Sequence, residues 1–305
     1  MGSKPLLTGL PTRTSKSVGV KLAIFLPWFL LVALLLGWGS NRVPADLHQP
    51  VAILPPPARE DLSPPAVDRP QSVSTGQPIL FEVATFNLHR GKGGDQPARI
   101  DGFRQLLDGC DIIALQEDVL VNGKTFSRQL GVSMGLWAIE FPTELQWGQV
   151  NGGNGVLLSR PPGNIATIPL PNAKGKAFRQ IALIPVDLGE VRLTVLATHL
   201  DSTTDRPAQW PILIEMWKSL APPCILLGDL NTRPDDPLMK PLFAVEGTED
   251  PLEIVARRNG STQAAHIDWI LTRGLKTISA EVIPTKLSDH PVVRARLEWP
   301  EEPKR

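Results

Sequence analysis

Polar and charged residues stand at the ends of six apolar runs in this chain. Thr85-Phe86-Asn87-Leu88-His89 closes one, Ile113-Ala114-Leu115-Gln116-Glu117 a second, Leu196-Ala197-Thr198-His199-Leu200-Asp201 a third and Leu226-Leu227-Gly228-Asp229-Leu230-Asn231 a fourth. His266-Ile267-Asp268-Trp269-Ile270 begins or crosses a fifth, and Ser288-Asp289-His290-Pro291 leads into the last. Strand ends are where a fold can converge side chains from distant positions. The converging set is two amides (Asn87, Asn231), four carboxylates (Glu117, Asp229, Asp268, Asp289) and two imidazoles (His199, His290). Hard oxygen donors in small number suit Mg²⁺, which keeps several waters and shares its shell with phosphate. No cluster has zinc spacing, and no Gly-x-Ser-x-Gly nucleophile turn occurs.

The elements that must position this set are short and β-rich. The spacing predicts strands over residues 79–89, 111–117, 155–159, 180–186, 191–199, 224–230, 266–271, 278–283 and 292–297. Helical spacing covers 99–107 and 206–220; Pro207 and Pro211 limit the start of the second to near Pro211, or kink it. Many strands with few interposed helices argue for two packed sheets with helices outside them, in one catalytic domain over residues 79–305. No internal repeat is evident.

A different composition precedes that domain. Residues 22–41 are twenty positions without a charge, long enough for a helix to span a hydrocarbon core. Lys4, Arg13, Lys16 and Lys21 precede them, so residues 1–21 are expected to stay cytoplasmic and the rest to be exported from a single-pass membrane anchor. A cleaved signal peptide is the rival, but the apolar run is long for one and no clear small-x-small site follows. Residues 42–78 form a Pro-rich linker, expected to be an extended, unpacked spacer because proline fixes φ and removes a donor.

Charge narrows the partners. Lys plus Arg and Asp plus Glu both number 31 over 305 residues. Residues 79–305 carry 24 basic against 27 acidic groups, a net of −3. No basic field gathers nucleic acid, which argues mildly against a tight non-specific binder and does not exclude a weak, fast nuclease. Cys110 and Cys224 lie in or beside apolar runs and read as small buried hydrophobes.

Taken in order, Phe86-Asn87, Gln116-Glu117, Gly153-Asn154-Gly155-Val156-Leu157-Leu158-Ser159-Arg160, Thr198-His199-Leu200-Asp201, Gly228-Asp229-Leu230-Asn231, Ile267-Asp268-Trp269-Ile270-Leu271 and Ser288-Asp289-His290-Pro291-Val292 resemble the endonuclease/exonuclease/phosphatase superfamily. Any one of these motifs is weak; seven in the family's order over residues 79–299 are specific. The resemblance implies a four-layer α/β (α+β) sandwich of two packed mixed sheets flanked by helices, here preceded by the transmembrane helix. It implies a phosphodiester or phosphomonoester hydrolase dependent on Mg²⁺, with Mn²⁺ as a possible substitute. Glu117 is then the principal metal ligand, with Asn87 and Asp289 nearby. Asp229 is the base or aligner of the attacking water, and Asn231 holds water or a phosphate oxygen. His290, oriented by Asp268, contacts the scissile phosphate, and His199 sits on its opposite side. Phosphoryl transfer asks for in-line positioning and charge neutralisation more than covalent chemistry, which this set can supply.

Several positions carry two readings. His89 and Arg90 line the mouth or are exposed loop residues, and Asn154 lies near the phosphate or forms a turn. Arg206, with Gln209, is structural or touches phosphate. Asp118 reads as a solvated charge at a strand end, and His266 as a side chain on the opposite strand face from Asp268. Trp137, Trp147, Trp210, Trp217 and Trp269 read as packing rather than a base-stacking platform. The expected partners are a phosphate ester (lipid head group, small phosphodiester or nucleic acid) and the membrane, with no obligate protein partner. The alternatives are an exported nuclease and a catalytically silent binding protein of the same fold.

Overall fold

A computed structural model of the chain describes residues 16–39, 51–57, 79–92, 100–121, 123–146, 149–172, 178–188, 191–263 and 265–299. The chain divides into two compact units, residues 1–40 with 146–148 and residues 41–145 with 149–305. In the first, the apolar segment forms helix α1 (Lys16–Gly39), which continues through Pro27. Its described side chains, those of residues 25–36, are all exposed. Among the described residues no helix is long and apolar enough to cross a membrane. Residues 1–15, 40–50 and 58–78, with most of the expected basic segment and linker, lie outside the described residues, as does Trp147.

The second unit carries, in order, β1 (Ala52–Leu54), β2 (Leu80–Asn87), α2 (Ile100–Leu107), β3 (Ile112–Val121), β4 (Lys124–Thr125), α3 (Phe126–Met134), β5 (Trp137–Gln146) and β6 (Gln149–Leu158). β7 (Ala166–Pro169), β8 (Gln180–Leu188), β9 (Val191–His199), α4 (Arg206–Ser219), β10 (Cys224–Asp229), α5 (Met239–Phe243), α6 (Pro251–Arg258), β11 (Asp268–Arg273), β12 (Lys276–Ile283) and β13 (Val292–Glu298) follow. One sheet runs β1-β5-β6-β3-β2-β13-β12, with β4 beside β3; the other runs β11-β10-β9-β8-β7. Each is mixed: β2 is parallel to β3, and β9 to β10.

Three apolar clusters explain the layering. Val83, Ile112, Val156, Ile184, Val195, Leu227 and Val293 pack between the sheets. Phe86, Phe103, Leu107, Phe126 and Leu130 join α2 and α3 to the outer face of the larger sheet. Trp210, Leu213, Trp217, Met239 and Trp269 join α4 and α5 to the outer face of the smaller one. The result is helix, sheet, sheet, helix, as expected. Central strands covered on both faces read as continuous apolar runs, and β10 is buried at every position.

One local expectation fails. Residues 51–57 are not an unpacked spacer, because Ala52–Leu54 pairs antiparallel with β5, Ile53 opposite Ile139. Proline cannot donate to a ladder, and Ala-Ile-Leu immediately before Pro55 is long enough to add an edge strand. α4 covers Arg206–Ser219, within a residue of the expected range, and of the two expected effects of Pro211 a late start is not found, since the helix continues through it. Pro207 occupies its first turn, where the missing N–H costs nothing. The Asp205 carbonyl accepts from the amides of Ala208 and Gln209 at 3.0 and 3.1 Å.

Candidate active site

Sheet register builds the centre of the site. Asp229 ends β10 with His199 of β9 beside it on one side and Asp268 of β11 on the other, so three candidate residues share one row across three strands. Gly228 makes that row possible. At φ +152° its backbone lies so close to β9 that a Cβ there would stand 1.9 Å from the Thr198 carbonyl oxygen. Only glycine admits this approach.

The larger sheet meets this row through Asn87, at the end of β2. Its Nδ2 donates to Asp229 Oδ2 at 3.0 Å, while its Oδ1 accepts from the His89 amide at 3.0 Å. Ser288 Oγ donates to the Asn87 carbonyl oxygen at 2.7 Å and accepts from the His290 amide at 3.1 Å. The Ser-Asp-His-Pro turn is thereby tied to the end of β2. Outside it, His89 Nδ1 lies 2.9 Å from Asp289 Oδ1, both side chains well exposed at the mouth. Arg90 Nη1 donates to both Glu144 carboxylate oxygens, at 2.8 and 2.7 Å.

Glu117 follows the Asn87–Gln116 pair, inside a register shift between Leu115 and Asp118 of β3. Its φ is +55°. Among the described residues, the non-glycine positions at positive φ are His89, Arg90, Glu117 and Asn231, all expected in the site. Each left-handed non-glycine residue costs on the order of 1–3 kcal/mol and persists only where surroundings fix it. The bulge turns Glu117 away from the regular alternation of its strand. Asp118 is the correction here: it is not a solvated charge but 1 % exposed. Its Oδ1 accepts from the Ser127 amide at 3.2 Å in the first turn of α3, and burial pushes its carboxyl up to about 7.

The two imidazoles are set oppositely. His290 Nδ1 lies 2.8 Å from Asp268 Oδ2. Burial opposes its charged form, yet the bond to Asp268 and the charges of Asp268, Asp229 and Asp289 push the ring up to about 9. Burial raises the Asp268 carboxyl above its ordinary value, against the pull of the bond to His290 and of its charge. His199 Nδ1 lies 2.8 Å from Arg179 Nη1, and its Nε2 is 3.5 Å from Asp229 Oδ2. Burial, then the charges of Arg179 and His290, hold that ring well below its ordinary value. Burial and the neighbouring Asp268 push the Asp229 carboxyl up to about 7, against the pull of His290, Asn87 and the Asn231 amide.

The remaining positions are supports. Asn231 Nδ2 donates to the Leu200 carbonyl at 2.9 Å, and Arg206 Nη1 donates to the Asn231 carbonyl. Gln209 accepts from the Asp201 amide at 2.8 Å and donates to the Pro171 carbonyl at 2.9 Å. Arg206 thus braces the turn after β10, and Gln209 the turn that enters α4. Asn154 is half-buried in β6 and borders a void of about 10 Å³ with Gln116, Gln180 and Thr198. His266 is buried with its ring 4.3 Å from that of Trp269, and Trp210, Trp217 and Trp269 are core. Arg179 and Ser288 were not expected in the site. Arg179 stands just before β8 with nothing nearby to tie it to a histidine twenty positions on.

The donor set fits a hard divalent cation. Among the described residues Glu117 makes no hydrogen bond, Asn87 Oδ1 has accepted only one, and Asp289 is 58 % exposed at the mouth. All are oxygen donors, with no thiolate near. Asp229, Asp268 and His290 also offer ligand atoms within 4.8 Å of one another. Their atoms are mostly engaged already, by Asn87, Asn231 and each other; Asp268 Oδ1 is a buried oxygen with no partner.

Comparison with known proteins agrees with this geometry. A search of curated sequences finds no match. The profile described as "Endonuclease/Exonuclease/phosphatase family" matches residues 84–290. Among solved structures, the chain is similar to an endonuclease/exonuclease/phosphatase from Beutenbergia cavernae at 20 % identity and a TM-score of 0.55, covering 74 % of this chain and 73 % of that one. It is similar to the human Nocturnin catalytic domain, solved with bound sulfate, at 19 % identity and a TM-score of 0.56, covering 72 % and 97 %. It is also similar to D. rerio TDP2 complexed with a single-strand DNA product, at 16 % identity and a TM-score of 0.54, covering 72 % and 98 %. The chain belongs to the endonuclease/exonuclease/phosphatase family and is an enzyme of its metal-dependent phosphoric ester hydrolase class.

Proposed function

We propose that this chain is a membrane-anchored, Mg²⁺-dependent hydrolase that cleaves a phosphodiester or phosphomonoester by in-line attack of water. The observation that carries it is the row His199–Asp229–Asp268 with His290 on Asp268. There a buried carboxyl pushed up to about 7 lies between one cationic and one neutral imidazole. Glu117, Asn87 and Asp289 would hold the cation, which when bound neutralises charge on the phosphate. Asp229 takes the proton of the attacking water, a task suited to a group that titrates near neutrality. Asn231 steadies that water through Oδ1, its Nδ2 being held by Leu200. His290 directs its Nε2–H to a phosphate oxygen, with Asp268 fixing the ring.

Anchoring rests on the uncharged stretch 22–41, the four basic residues before it and the helical, exposed apolar side chains of α1. A membrane-held enzyme with no basic field favours a lipid head group or another small phosphate ester. The exported nuclease is the second reading, favoured by the likeness to a TDP2 structure holding single-strand DNA.

A substrate panel decides between them. The full chain in detergent with Mg²⁺ is offered sphingomyelin, cardiolipin, inositol phosphates, DNA and RNA. Head-group or phosphate release that Asp229→Asn abolishes is the expected result. Cleavage confined to DNA or RNA establishes the nuclease, and no cleavage of any ester leaves a binding protein. Protease outside intact spheroplasts should free the catalytic domain; protection until lysis would contradict the orientation.

A further inference from the structure

We infer that Arg179 is a positioning residue that locks His199 as a neutral imidazole with its proton on Nε2. The inference rests on the hydrolase reading for its consequence in catalysis, though not for the lock itself.

The geometry follows from strand pairing. β8 and β9 are antiparallel with Ile181 opposite Thr198, so His199 faces Gln180 and Arg179 stands one residue further. From there Arg179 Nη1 reaches His199 Nδ1 at 2.8 Å. A guanidinium has five N–H donors, no acceptor and a permanent charge. The nitrogen facing it must therefore present its lone pair. Nδ1 carries no proton, and the single proton of the neutral ring sits on Nε2, 3.5 Å from Asp229 Oδ2. A second proton on the ring would set N–H against N–H beside a fixed cation. His199 is 2 % exposed, so water cannot relieve that clash.

The arrangement divides labour between two similar side chains. A carboxylate holds Nδ1 of His290 and favours the cation; a guanidinium holds Nδ1 of His199 and excludes it. Environments that push two like groups apart assign them different roles. His199 can then donate one neutral hydrogen bond, to Asp229 or to a phosphate oxygen, but cannot deliver a proton to a leaving group. Proton delivery falls to His290. Arg179, half-buried, also lies in the field of Glu117, Asp201, Asp229 and Glu144, which offsets the cost of burying its charge.

The test reads the tautomer directly. The full chain, labelled with ¹⁵N in its five histidines, is examined by long-range ¹H–¹⁵N correlation, with His199→Gln assigning the signal. His199 should show an unprotonated Nδ1 and a protonated Nε2, unchanged from pH 6 to 8. Arg179→Met should mix the two tautomers and lower kcat roughly 10- to 100-fold with little change in KM, as loss of an orienting partner does. Arg179→Lys, which keeps a cationic donor, should restore most of the Nε2–H form. A cationic or Nδ1–H ring in the unmodified chain overturns the inference even if Arg179→Met fails to fold, and so does an unchanged tautomer in a folded Arg179→Met. Absence of hydrolysis on every ester would instead overturn the functional reading and leave the tautomer result standing.

Discussion

Replacing Asp268 by Asn should disable His290 without disturbing the fold. The two groups meet at 2.8 Å, with 17 % of the His290 side chain and 1 % of Asp268 exposed. The imidazole rises from 6.5 to about 9 against the opposing effect of burial, largely through Asp268. At 1.36 kcal/mol per unit, that rise is on the order of 3 kcal/mol of preference for the cation. Asparagine can keep a neutral hydrogen bond to Nδ1 but not the charge, so most of that preference disappears. If the cation complements charge developing on phosphate, kcat should fall about 100-fold, the equivalent of the same 3 kcal/mol. His290→Ala should cost as much or more, on the order of 10²–10⁴-fold. The decisive assay is the double-mutant cycle on a chromogenic phosphodiester, with circular dichroism to confirm folding. Asp268→Asn/His290→Ala should be hardly slower than His290→Ala alone, because the carboxylate acts through the ring. Losses that add fully in free energy would refute the coupling and leave Asp268 a structural residue.

Two further predictions concern the scaffold. Asp118 has its carboxyl pushed from 3.8 to about 7 by burial, so the folded chain holds a proton there that the unfolded chain has lost. Stability should therefore fall as pH rises from about 4 to 7, with the full cost, on the order of 4 kcal/mol, present above pH 7. Asp118→Asn, which can still accept from the Ser127 amide, should raise Tm at pH 8 and have little effect at pH 4; equal Tm at pH 8 would contradict the burial argument. Gly228→Ala should lower stability by roughly 3 kcal/mol or more and take activity with it, since its Cβ would stand 1.9 Å from the Thr198 carbonyl oxygen. A Tm within a degree or two of the unmodified protein would show that β9 and β10 can separate.

Much of this was legible in the sequence because the central strands are covered on both faces. The apolar stretches of β2, β9 and β10 end in Asn87, His199 and Asp229, that of β3 reaches Glu117 at its bulge, and those positions are what the fold brings together. The glycine-rich start of β6 escaped notice because glycine weakens any strand pattern. There β6 passes so near β5 that a Cβ at Gly153 would lie 2.0 Å from the Phe141 carbonyl oxygen. β1 escaped because three residues among prolines carry no period. Asp118 looked like the end of a strand, but β3 runs on past a bulge to Val121 and carries it inside. Arg179 was invisible for a different reason. Its meaning comes wholly from strand register, which pairs β8 with β9 and brings a lone arginine to the far nitrogen of a histidine.

The central claim is that oxygen donors at the end of β2, at the bulge of β3 and in the turn before β13 hold a divalent cation required for ester hydrolysis. It is tested most directly by stripping the purified full chain with EDTA and adding back single metals while following phosphodiester cleavage. Activity should vanish with EDTA, return with Mg²⁺ or Mn²⁺, and fail to return in Glu117→Gln at the same concentrations. Activity that survives EDTA, that returns with Zn²⁺ alone, or that Glu117→Gln recovers in full would contradict it.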